Sequence, residues 1–178
     1  MQKKIKFSRE ITMEKAQIKD AANILSYLKT IGGESDNLLF GAEGLCVTTE
    51  QEEKIIENIN ASPTSIMAIA KENDVIVSVG TLSGFTRQRI SHHVELALSV
   101  RKSHWNIGIG KAMIDYLIEF AKGTDQIEII DLKVKSDNLP GIALYKKCGF
   151  EQIGTYPNFF KIDGAYYDAV MMIRTPMG

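Results

Sequence analysis

Gly108 and Gly110, with Lys111 directly after them, stand where an apolar alternating stretch, His93 to Val100, gives way to a long amphipathic one. A strand that runs into a glycine turn and then a helix leaves main-chain N–H groups unpaired at the helix start. The positive end of the helix dipole lies behind them. Such a place seats an anion, a phosphate above all. Glycine has no Cβ, so a phosphate can come close to the backbone, and Lys111 adds a cation at the next position. Two glycines on their own are better read as a simple turn, so the weight falls on what surrounds them. His92, His93 and His104 titrate in a useful range, but none has a partner visible in the sequence, and all three are expected at the surface. No histidine, cysteine or carboxylate spacing points to a metal.

These residues need a strand, a turn and a helix to hold them, and the chain reads accordingly. Glu10 to Lys15 alternates as a strand. A helix starts near Asp20, runs through Ala21, Ile24, Leu25 and Leu28, and stops at Gly32 and Gly33. Glu34 to Val47 shows no period. Thr48 then caps a second helix with acids in its first turn, ending near Asn60. Ser65–Lys71 and Val75–Phe85 form a hairpin across Glu72-Asn73-Asp74, with Gly80 and Gly84 expected at bulges or bends. In His93–Val100, Val94, Leu96, Leu98 and Val100 take one face; Glu95, Ala97 and Ser99 take the other. The helix from Gly108 to about Lys122 buries Ile109, Met113, Leu117 and Phe120. Ile127 to Lys135 is a buried-type strand, and Pro140 opens a short helix that Gly149 closes. Phe150–Tyr156 and Phe159–Ile173 read as the last two strands, the second with a tight turn at Asp163-Gly164.

The chain has 178 residues, 44% hydrophobic and 24% charged, with a net charge of -1. That size fits one domain over residues 1–178 with a proper core. The charge balance argues against the broad, strongly basic footprint of a nucleic-acid binder. No stretch is long and apolar enough for a bilayer, and the basic opening, Met1 to Phe7, lacks the apolar centre of a signal peptide. Cys46 and Cys148 are expected as reduced thiols, and a cytoplasmic location is expected with them.

Three segments stand in one order: Glu95-Leu-Ala-Leu-Ser-Val100, Trp105-Asn-Ile-Gly-Ile-Gly110, and Asn138-Leu-Pro-Gly-Ile-Ala-Leu-Tyr-Lys-Lys-Cys-Gly-Phe150. Together they resemble the GNAT superfamily of acetyl-CoA-dependent N-acetyltransferases. The family's second segment reads Q/R-x-x-G-x-G/A and its third N-x-x-A-x-x-L-Y-x-K-x-G-F. The phrase Phe159 to Asp168 is similar to the close of bacterial ribosomal-protein and polyamine acetyltransferases. Two positions depart from the pattern. Trp105 replaces the glutamine or arginine at the head of the turn, and Gly141 replaces an alanine, expected to matter little.

The resemblance implies a mixed α/β fold with a mostly antiparallel sheet of about seven strands and about four helices. It also implies that the sheet splays beside Leu98, Ser99 and Val100. Their strand edge would pair with the pantetheine arm of acetyl-CoA, which is chemically apt because a free edge is a template for amides. The diphosphate would sit on the turn Trp105, Asn106, Ile107, Gly108, Ile109, Gly110 and Lys111. Asn138 would bond the arm or serve as a plain helix cap. By the same resemblance, Tyr145 is the acid for the departing thiolate, contacting the coenzyme as well. Glu95 is the base for a primary amine, and the N–H of Leu98 or Val100 the donor to the oxyanion. The acceptor, a small amine or a peptide N-terminus, would lie among Gly33–Cys46, Gly84–Ser91 and Tyr166-Tyr167. Leu38, Phe40 and these tyrosines fit an apolar pocket or a homodimer surface equally well. The alternative is an acyl-CoA-binding or regulatory module that has lost transfer. A dinucleotide domain is disfavoured, since Gly108-Ile-Gly110 lacks a third glycine.

Overall fold

The structure, a computed structural model, describes residues 3–6 and 10–177. Alternation and capping produce the elements much as read: β2 (Glu10–Lys15), α1 (Ala21–Gly32), α2 (Thr49–Ala61), β3 (Ile66–Glu72), β4 (Val75–Gly84), β5 (His93–Val100), α3 (Ile109–Lys122), β6 (Ile129–Lys135), α4 (Leu139–Lys147), β7 (Glu151–Ile162) and β8 (Ala165–Arg174). One strand was not expected. β1 (Lys3–Lys6) pairs antiparallel with β2 and brings the sheet to eight strands among the described residues. Met1, Gln2 and Phe7 of the basic opening lie outside the described residues.

The sheet order is β1-β2-β3-β4-β5-β6-β8-β7, antiparallel throughout except between β5 and β6. Ile66, Ala68 and Ala70 of β3 join the core under α3, while Met67 and Ile69 join the core under α1 and α2. Burial on both faces explains why β3 reads as a near-continuous apolar run. Thr48 caps α2 through the Gln51 N–H, and Gln51 returns the bond to the Thr48 N–H. The capping-box reading therefore holds.

Three expectations are corrected. Gly80 marks no bulge: the irregularity falls opposite Ala70 and Lys71 of β3, where Val77 of β4 has no register partner. A Cβ at Gly80 would lie 2.7 Å from Met113 Cγ, so glycine there lets α3 approach β4. The expected break at Tyr156–Phe159 is an irregularity inside one long strand, β7. The Asn158 N–H donates to Asp168 Oδ1 at 2.9 Å across it. The turn at Asp163 and Gly164, both at positive φ, then joins β7 to β8 instead of lying within a strand. Asn73 and Asp74 form the matching positive-φ turn between β3 and β4, the geometry that suits two-residue hairpins.

Candidate functional site

β5 and β6 pair over three residues, His93–Glu95 against Ile129–Asp131, and part beyond them. β5 continues to Val100 along β4, and β6 continues to Lys135 along β8. A wedge opens between them. The Arg101 N–H donates to Val77 O of β4 at 2.9 Å. The carbonyl of that same trans peptide, Val100 O, points the opposite way. Alternation along the strand then turns the N–H and C=O groups of Leu98 and Val100 into the wedge. Ser99 between them faces β4, its carbonyl accepting from Ser78 Oγ at 2.7 Å and its hydroxyl from Tyr27 at 3.1 Å. On the far wall, the Ser136 N–H donates to Asp168 O of β8. The main-chain groups of Lys133 and Lys135 accordingly look back toward β5.

At the mouth of the wedge the chain turns through Asn106 (φ 61°) and Gly108 (φ 93°) into α3. Both occupy the left-handed region, which asparagine and glycine tolerate best. α3 begins without a side-chain cap and with no acid in its first turn. α2 and α4 are capped by Thr48 and Asn138, whereas α1, away from the wedge, shares the uncapped start. The leading N–H groups of α3 are thus left for an anion. Gly110 serves packing instead of an open approach: a Cβ there would lie 2.9 Å from Leu144 Cδ2 of α4. Lys111 is exposed and its ammonium is held 2.6 Å from Asp115 one turn on, so it leans along the helix. Ile109 is buried in the core and Ile107 packs against it.

Asn138 is a helix cap, its Oδ1 accepting from the Gly141 N–H at 3.0 Å, with Nδ2 left over. The change to glycine at 141 is not indifferent. A Cβ would sit 2.6 Å from Asn138 Nδ2, so glycine admits this cap rotamer. Tyr145 is half-buried, its ring edge-to-face with Phe150 at 5.8 Å. Burial, with the Cys148 thiol adding, pushes its phenol up to about 12.

Glu95 lies on the expected face of β5, yet it is not merely solvated: Lys133 Nζ of β6 stands 2.5 Å from its Oε1. Asp131, the register partner of Glu95, is 3.6 Å from His93 Nδ1. Burial is the main cause that raises the Asp131 carboxyl. Sequence reasoning missed Lys133 and Asp131, because nothing local announces a parallel register between β5 and β6. It also misplaced His104, which is buried and bonded to Glu72 Oε2 at 3.1 Å and Ser103 Oγ at 2.8 Å. Of the acceptor segment, Leu38 and Phe40 pack against the α1–α2 core, leaving Leu39 exposed. Glu34 Oε2 accepts from the Lys102 N–H at 2.7 Å and ties that segment to the entry of α3. Tyr167 lies over Lys135 Nζ, 3.8 Å from its ring centre, and Tyr166 is exposed.

The comparisons match this geometry. The family model for the acetyltransferase (GNAT) domain matches residues 14–171. The L-amino acid N-acetyltransferase AaaT of Escherichia coli (strain K12) is 35% identical over 88 residues, 49% of this chain and 54% of that protein. The chain therefore spans about half the length of that relative. The N-alpha-acetyltransferase RimI of Mycobacterium tuberculosis is 27% identical over 114 residues, 64% of this chain and 68% of that one. An acetyltransferase of the GNAT family from Streptococcus pneumoniae superposes with a TM-score of 0.91 at 26% identity, over 93% of this chain and 99% of the other. The fold of yncA from Salmonella typhimurium, solved with its cofactor acetyl-CoA, superposes at 0.81 with 18% identity, over 93% and 94%. A wedge with one uncapped helix at its mouth and a family model spanning nearly the whole chain lead to one conclusion: this chain belongs to the GNAT acetyltransferases.

Proposed function

We propose that the protein transfers the acetyl group of acetyl-CoA to a primary amine by direct attack in a ternary complex. The observation that carries this is the pairing of an unpaired strand edge with an uncapped, acid-free helix start at one end of it. An amide-bearing arm needs the first and a diphosphate needs the second. Leu98 and Val100 would take the arm, with Ser99 holding the edge to β4. The N–H groups from Asn106 to Lys111, following Trp105, would take the diphosphate. Asn138 Nδ2 is free to reach the arm.

The transfer needs a deprotonated amine, a donor to the tetrahedral oxygen and a proton for the thiolate. An α-amine loses its proton near pH ~8 and a lysine-type amine near ~10, so an α-amine asks less of its base. Glu95, directly or through water, is the base of this reading, held in place by Lys133. The N–H of Leu98 or Val100 is the oxyanion donor. Tyr145, kept neutral by burial, is the proton donor. The names of AaaT and RimI speak of amino-acid and N-alpha acceptors, and both supply an α-amine. A small amine or a peptide N-terminus is accordingly the acceptor class.

The test is release of free CoA thiol from acetyl-CoA against amino acids, peptides with free N-termini and polyamines. Amine-dependent release is expected for at least one α-amine. Binding of acetyl-CoA with no amine accelerating release would leave only a binding module.

A further inference from the structure

We propose that Trp105 is a positioning residue whose indole N–H braces the strand edge against the glycine turn, holding the two halves of the coenzyme site at one spacing. The inference rests on the acetyl-CoA reading above and goes beyond it in naming what sets the site's geometry. Trp105 Nε1 donates to Val100 O at 2.7 Å, across five residues of chain. That carbonyl ends β5 on the wedge side, since its peptide N–H is turned to Val77 of β4. Trp105 itself is the first residue of the turn into α3. One bond therefore links the last residue of the arm-binding edge to the first residue of the diphosphate turn.

The ring is not there to fill the core. Trp105 is 42% exposed, whereas a tryptophan chosen for packing would lose nearly all of its surface. Its distinctive contribution at this place is the donor. Between Val100 and Trp105 the backbone makes a short helical turn, Lys102–His104, closed by the His104 and Trp105 N–H groups. The indole bond closes the outer side of that turn. A carbonyl has two lone pairs, so Val100 O can hold the indole and still accept from an amide of the arm. The brace then aims the carbonyl without using it up.

The direct test replaces the donor and then restores it. Trp105→Phe keeps a ring without the N–H, and Trp105→Gln supplies an N–H without the ring. Acetyl-CoA affinity is measured by calorimetry, with kcat at saturating coenzyme measured alongside. Trp105→Phe is expected to weaken acetyl-CoA binding about five- to tenfold, the scale of one hydrogen bond, with kcat held within about twofold. Trp105→Gln is expected to bind within about twofold of the parent. Equal affinity of Trp105→Phe and the parent overturns the brace, and so does a Trp105→Gln variant as weak as Trp105→Phe. The unmodified protein supplies a check free of any folding defect, because it has a single tryptophan. Its one indole N–H should exchange slowly with solvent in the proton NMR spectrum, and exchange at the rate of a free indole overturns the proposal. If the parent fails to bind acetyl-CoA while its indole is protected, it is the coenzyme reading that falls.

Discussion

Tyr145 sits where ionisation is costly. Burial, then the neighbouring Cys148 thiol, raise its phenol to about 12, against ~10 for a free tyrosine. The sign matters for its role. A raised pKa keeps the proton on the oxygen, so the group remains a donor across the whole range in which an α-amine is free to attack. Tyr145→Phe is expected to lower kcat by about ten- to a hundredfold, reaching only the foot of the usual range for a positioned acid, while acetyl-CoA affinity is kept. The pH–rate profile of the parent should show no alkaline loss from this group below pH ~11. An unchanged kcat in the variant would retire the assignment. At this scale the sequence is readable wherever a role follows from local chain order. Period-two alternation places Glu95 on its face of β5, and Asn138 ahead of Pro140 reads as a cap. Lys133 is different. It reaches Glu95 from 38 residues away, through a parallel pairing that no local pattern encodes.

Among the elements, the helix starts carry the most information, and they differ. α2 and α4 each satisfy one leading N–H with a cap side chain, Thr48 and Asn138, whereas α3 does not. All three were visible in the chain from the residue types at the start. β1 was not. Its four residues include one apolar position, and its place is set by main-chain pairing with β2. The bulged course of β7 was hidden too, because Pro157 and Asn158 look like a break until Asp168 of the next strand bridges them. α2 also carries an element-level cost. Glu52 is 1% exposed, and its Oε2 has no hydrogen-bond partner among the described residues. Burial raises its carboxyl. A carboxyl with a raised folded pKa stabilises the fold fully below the unfolded value, and that contribution is lost as pH rises through the folded one. Glu52→Gln should therefore raise Tm at pH 7 by ~2–4 °C. The gain should fade as the buffer approaches pH ~4, near the pKa of an unfolded glutamate. Thermal melts of both proteins at the two pH values check this, and a gain of equal size at both would mean the carboxylate charge is not the cause.

Across the whole molecule, one half of the sheet, β1 to β5, meets the other, β6 to β8, through three residue pairs of parallel ladder. Everything beyond that neck is held apart on the wedge side, while each wall is tied outward, β5 to β4 and β6 to β8. A ligand that lays amides along the β5 wall would complete a row of hydrogen bonds that the fold itself leaves open. This predicts a pattern in amide hydrogen exchange that a nonspecific stabilisation cannot imitate. Alternation points the N–H groups of Leu98 and Val100 into the wedge and those of Ala97 and Ser99 toward β4. Saturating acetyl-CoA should slow exchange at Leu98 and Val100 selectively, with Ala97 and Ser99 changing only as much as the β4 residues they pair with. At a concentration a hundred times Kd, binding stabilises the whole fold by ~2.7 kcal/mol, and that global part slows only amides that exchange through complete unfolding. The alternating signature is therefore separable from it. Uniform slowing along β5 would mean that the coenzyme stabilises the protein from some other place. Slowing confined to Asn106–Lys111 would mean that the turn holds a phosphate and the edge holds nothing. Only odd–even alternation from Ala97 to Val100, together with protection at the turn, makes the wedge and the helix start two parts of one site.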